Sequence, residues 1–150
     1  MDKKVSLFNW KLDGGILHYR ANLNSSWKPV IWDEQANTLM EGQHMGGTSM
    51  ENGRFMLVVI GGDSKLLWRI GEPSPYFAPD GIKSLEKNED QNAGKFFWNN
   101  GTTMEAKSIT SVVLLDDGKV TITIVGGDGT GLYSQQERPN STNFTKWQKF

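Results

Sequence analysis

A chain of 150 residues, 37% of them apolar, is long enough for one domain with its own core, and the absence of cysteine excludes disulfide staples and thiolate metal sites. A formal net charge of −1 with no Lys/Arg run gives no pull toward nucleic acid or anionic lipid. The opening "MDKKVSLFNWKLDGG" lacks the apolar stretch of a signal peptide and "FMLVVI" is too short to cross a bilayer, so the expectation is a soluble protein without membrane insertion, cytoplasmic or released without Sec-type export.

In chain order, "VSLFNWKL" (5–12) is rich in β-branched and aromatic residues and reads as a strand. "DGG" (13–15) is a turn, "ILHYR" (16–20) a second strand, and "WKPVIW" (27–32) a third. "HMGGTSMENG" (44–53) ends in the turn "ENG" and leads into the apolar strand "RFMLVVI" (54–60). The turn "GGDS" (61–64) and the strand "KLLWRI" (65–70) follow. Residues 72–94 hold three of the five prolines and many charges, and read as a long loop with one short helical turn at "IKSLEKN". "KFFW" (95–98) closes that stretch. "SITSVVLLDDG" (108–118), "KVTITIV" (119–125), the turn "GGDGTG" (126–131), "GLYSQ" (131–135) and "FTKWQKF" (144–150) repeat the same phrase.

No apolar pattern recurs at helical spacing, so the chain is expected to be all-β. Strand, glycine turn and strand recur three times, each followed by a tryptophan-bearing strand. The expected units are 1–37, 38–101 and 102–150, each of four short strands, with the first lacking its opening strand because Val5 already belongs to the second position. Glycine pairs beginning at Gly14, Gly61 and Gly126 are 47 and 65 residues apart. The first spacing suits a four-stranded propeller blade, and the second accommodates the 72–94 insertion. Three such units fit either propeller blades or a β-trefoil.

The wording of the units resembles the blades of the Photorhabdus-lectin-like β-propellers. The last unit carries Asp117-Gly118-Lys119, Gly127-Asp128-Gly129, Leu132-Tyr133 and Thr145-Lys146-Trp147. The middle unit carries Asn52-Gly53-Arg54, Gly62-Asp63 and Leu67-Trp68, and the first carries Leu17-His18-Tyr19 and Trp27. The resemblance implies sugar binding at repeated, multivalent sites. It also departs from the family, whose members hold more blades in one chain. Three blades cannot close a flat ring, and open blade faces would leave apolar sheet surface wet, so a homo-oligomer is expected, most simply two copies giving a six-bladed ring.

Catalytic residues are scarce. His18 and His44 lie in no metal-ligand spacing, no nucleophile elbow or P-loop occurs, and "GGDGTG" lacks the Lys-Ser/Thr and helix of a phosphate cradle. The expectation is a non-enzyme with no metal and no cofactor. Six tryptophans favour glycan binding, since an aromatic ring covers the C–H face of a sugar while polar side chains take its hydroxyls. The candidate ligand-binding sets are His18, Tyr19 and Arg20; Trp68, Arg69 and Glu72; and Tyr133, Gln135 and Glu137. In this reading His18, Trp68 and Tyr133 hold one repeated position. The alternative is a non-catalytic protein-interaction or structural propeller domain that uses the 72–94 loop, and a glycosidase is a third reading.

Overall fold

The computed structural model describes residues 5–7, 10–20, 24, 26–29, 31–33, 38–71 and 93–150. They form three four-stranded antiparallel sheets and one short two-stranded ladder, with no helix among the described residues. Sheet 1 holds β1 (Val5–Leu7), β2 (Trp10–Asp13), β3 (Ile16–Tyr19) and β4 (Lys28–Pro29). The ladder pairs β5 (Ile31–Asp33) with β6 (Thr38–Leu39). Sheet 2 holds β7 (Gly42–Ser49), β8 (Phe55–Gly61), β9 (Leu66–Gly71) and β10 (Ala93–Lys95). Sheet 3 holds β11 (Ala106–Leu114), β12 (Val120–Gly126), β13 (Gly131–Gln135) and β14 (Gln148–Lys149). In each four-stranded sheet the spatial order is the chain order, so each is a meander of hairpins.

Sheet 1 corrects the expectation of a missing opening strand. "VSLFNWKL" is not one strand: Leu7 stands opposite Trp10 and Val5 opposite Leu12, so β1 and β2 are antiparallel partners. The alternation across the whole stretch hides the reversal, because a two-residue connection preserves a period of two. "WKPVIW" likewise divides between β4 and β5, and β10 already includes Ala93 and Gly94, which the sequence places in the long loop. Residues 72–92 of that loop, with "IKSLEKN", lie outside the described residues.

Five turns share one geometry. In each, a backbone N–H closes on the carbonyl four residues later, as from Gly61 to Lys65 (2.9 Å) and from Gly126 to Thr130 (2.8 Å). An Asp or Asn at the third position accepts the N–H two residues on: Asp63 from Lys65, Asp128 from Thr130, Asn52 from Arg54, Asn100 from Thr102 and Asp117 from Lys119. The fourth residue is left-handed, as at Gly129 (φ 85°), and it is a glycine everywhere except at Ser64 (φ 69°). The sheet 1 turn differs. Gly14 (φ 62°) and Gly15 (φ 74°) alone connect Asp13 to Ile16, which is the two-residue type I′ form.

The sheets pack face on face with sheet 2 in the middle. Trp10, Leu12, Leu17 and Tyr19 of sheet 1 meet Leu57, Val59 and Leu67 of sheet 2 together with Met40 and Met45. The opposite face of sheet 2, with Met56, Val58, Ile60, Leu66 and Trp68, meets Val120, Ile122, Ile124 and Leu132 of sheet 3 together with Met104 and Trp147. Burial on both faces explains why β8 is apolar throughout, whereas β12 alternates strictly between buried and half-buried residues. Gly46 lets β7 approach β11 closely: a Cβ there would lie 2.9 Å from a Val112 methyl.

One backbone junction joins successive sheets, and it occurs twice. Leu17 N–H donates to the Met40 carbonyl and Gly42 N–H to the Gly15 carbonyl, both at 2.9 Å. Leu66 N–H donates to Met104 (2.9 Å) and Ala106 N–H to Ser64 (3.0 Å) in the same way. Ile16 bridges to Glu41 as Lys65 bridges to Glu105.

Candidate functional site

Sheets 2 and 3 enclose an open cleft of about 710 Å3 between β10 and the segment 137–147. Its floor is set by a glycine. Gly94 stands opposite Trp68, and a Cβ at Gly94 would lie 2.5 Å from the indole, so the ring lies flat across the strand only because no side chain is there. Phe96 is buried beneath, edge-on to Phe144 (ring centroids 5.1 Å apart) and to Trp147 (5.7 Å). Phe97, the next residue, emerges on the opposite side and is 52% exposed at the cleft.

The polar wall is held by a network of its own. Gln136 is fully buried; its side-chain oxygen accepts Val120 N–H (2.8 Å) and its amide donates to the Ser141 carbonyl (2.8 Å). Glu137 N–H donates to the Asn143 carbonyl (3.0 Å), and Ser134 Oγ donates to the Thr145 carbonyl (2.5 Å). Asn99 then clips this wall to sheet 2. Its side chain accepts Trp147 N–H (2.9 Å) and donates to the Trp147 carbonyl (3.1 Å), as a neighbouring strand would. Glu137, Thr142, Asn143 and Thr145 thereby face Lys95 and Phe97 across the cleft.

Of the sequence-derived candidates, Trp68 and Glu137 line this cleft, from different sheets. The expected trios do not assemble, because consecutive strand residues point to opposite faces. Trp68 faces sheet 3, whereas Arg69 is buried on the other face with Nη1 donating to Met40 Sδ (3.1 Å). Tyr19 is buried in the core between sheets 1 and 2, and burial pushes its phenol pKa up. His18 stands on the outward face of sheet 1, opposite Lys11, with Nδ1 2.8 Å from the Ile16 carbonyl. Arg20 and Lys11 lie over the Trp27 ring, 4.3 and 4.7 Å from its centroid. Tyr133 lies on the outward face of sheet 3, its hydroxyl donating to Gln148 (2.7 Å), and Gln135 pairs through its backbone with Thr145. Glu72 lies outside the described residues.

The repeated ring position is also shifted in sheet 1. Leu17, not His18, makes the junction hydrogen bond that Leu66 makes in sheet 2, so Tyr19 is the counterpart of Trp68. The sequence match sets Leu17-His18 against Leu67-Trp68, whereas the junction sets Leu17 against Leu66. His18 is therefore the counterpart of Leu67 and Leu132, one residue out of phase with Trp68 and Tyr133.

Sequence reasoning passed over Lys95, Phe97, Asn143, Phe144 and Thr145. One signal was present: adjacent phenylalanines in "KFFW" cannot both enter one face of a strand, so one must emerge. Among the described residues no three His, Cys, Asp or Glu side chains gather as metal ligands. Compared with known protein-family models the chain matches none, and a search of curated proteins returns no significant match.

Proposed function

We propose that the chain is a non-catalytic glycan-binding protein whose three sheets are blades of a β-propeller, with the cleft between sheets 2 and 3 as a sugar site. The observation that carries this reading is the pairing of an exposed aromatic ring, Phe97, with a hydrogen-bonding wall of Glu137, Asn143 and Thr145. An apolar platform facing polar acceptors and donors matches the two chemical faces of a pyranose ring. Consecutive open meanders joined by a repeated junction support blades over the barrel of a trefoil. A glycan array followed by calorimetric titration of the best ligand tests the reading. Phe97→Ala and Glu137→Gln should each weaken binding about tenfold, the size of one stacking contact or one charge-assisted hydrogen bond, while the melting temperature stays near that of the parent. Failure of the array to yield any ligand, or variants that bind as the parent does, would overturn it.

We also propose that two copies complete a six-bladed ring by pairing the outward face of sheet 3 with the outward face of sheet 1. Apolar exposure is not what supports this. The outward side of β12 presents Thr121, Thr123 and Val125, all half-buried, rather than a continuous greasy patch. Support comes from the junction: the strand end that Leu66 uses to bind the next sheet recurs at Gly131 in sheet 3.

A further inference from the structure

A second cavity, of about 340 Å3, opens where the turn of sheet 2 meets the segment arriving from sheet 1. Leu39, Met40 and Leu67 give it an apolar lining, and Glu41, Asp63 and Lys95 bring charge to it. The same residues recur in sheet 3. Leu132 stands opposite Lys149 as Leu67 stands opposite Lys95, Asp128 occupies the turn position of Asp63, and Glu105 bridges to Lys65 as Glu41 bridges to Ile16.

The two copies differ in how the glutamate is satisfied. At sheet 3 the Lys65 ammonium lies 2.9 Å from Glu105 Oε1. At sheet 2 the counterpart of Lys65 is Ile16, and among the described residues no hydrogen bond or ion pair reaches the Glu41 carboxylate. Glu41 is exposed, and its carboxylate lies over the bare glycine at the cavity: a Cβ on Gly62 would come within 2.5 Å of Glu41 Oε2. Lys95 shares this cavity with Glu41 and Asp63 and is the counterpart of Lys149, which helps to lower the pKa of Asp128, so two carboxylates meet one ammonium here. One uncompensated negative charge thus remains beside an apolar lining.

We propose that this cavity binds an organic ammonium, a primary amine on a short apolar stem, with Glu41 receiving the ammonium where Lys65 serves Glu105. The stem lies against Leu39, Met40 and Leu67. Of its lining residues only Lys95 is shared with the glycan cleft, and the proposal does not rest on the glycan reading.

The test is titration of the full chain with pentylammonium chloride, followed by amide NMR shifts, with 1-pentanol as the neutral match. Saturable shifts at Glu41, Gly62 and Leu67 are expected with the amine and not with the alcohol. Glu41→Gln should weaken amine binding about tenfold, the size of a charge-assisted hydrogen bond. Ile16→Lys should do the same by supplying an internal ammonium, and it decides the matter if Glu41→Gln fails to fold. Equal binding of pentanol, unchanged binding in the folded variants, or no saturable shift at these amides would overturn the proposal.

Discussion

At the scale of single residues, the five related turns provide their own controls. Ser64 holds the left-handed position that glycine holds in the other four, and a Cβ there is strained against its own backbone. Ser64→Gly is expected to stabilise the protein by up to about 1 kcal/mol and Gly129→Ser to destabilise it by a similar amount, measured by urea unfolding. Asp128 makes a second comparison. The Thr130 N–H donated to its carboxylate, with a smaller contribution from Lys149, holds its pKa below the ordinary value. A carboxyl whose folded pKa is lowered adds stability that is fully present above its unfolded pKa and is lost as pH falls through the folded one. The loss therefore lies below about pH 4. Asn52 and Asn100 accept the same bond with neutral amides. Asp128→Asn should therefore lower stability slightly near neutrality and flatten its decline in acid, as followed by melting temperature against pH.

At the scale of elements, the wall of the cleft hangs on a buried amide. Gln136 ties the first residue of β12 to the turn at Ser141, and both of its polar atoms are used. Gln136→Leu would strand the Val120 N–H and the Ser141 carbonyl away from water. The expected cost is about 2–4 kcal/mol in chemical denaturation, with faster amide exchange across residues 137–143 than in sheet 2. Much of this level was legible in the sequence. "RFMLVVI" and "KVTITIV" stood out as strands, and their difference in alternation encodes which sheet is covered twice. The turns announced themselves through Asp or Asn followed by Gly. What stayed hidden was phase. A two-residue connection at Leu7–Trp10 leaves alternation intact, and matching Leu17-His18 to Leu67-Trp68 by residue type puts His18 on the wrong face, because Leu17 stands where Leu66 does. The cleft was half legible: Trp68 and Glu137 were visible, but Asn99, Gln136 and Phe97 act through partners far away in the chain.

At the scale of the whole molecule, the sheets form a series in which the middle one is sandwiched and the outer two each turn one face away from it. Sheet 1 turns outward Lys11 and His18, and sheet 3 turns outward Thr121, Thr123 and Tyr133. Association through such mixed faces should be concentration-dependent. Light scattering is expected to give twice the chain mass at high micromolar concentration and a falling mass on dilution. A constant single-chain mass across that range would remove the proposed six-bladed ring and leave the proposed sugar site untouched, because both walls of the cleft come from one chain.

The meander order has a consequence for how such a chain can change. Every strand of the three large sheets hydrogen-bonds within its sheet only to its immediate predecessor or successor. A whole sheet can therefore be duplicated or spliced in between two others without rerouting any existing strand, and the junction seen at Leu17 and Leu66 would simply be made once more. Growth and shrinkage in steps of one sheet are the natural currency of this architecture, whereas the loss of a single strand would break a hairpin and expose its partner.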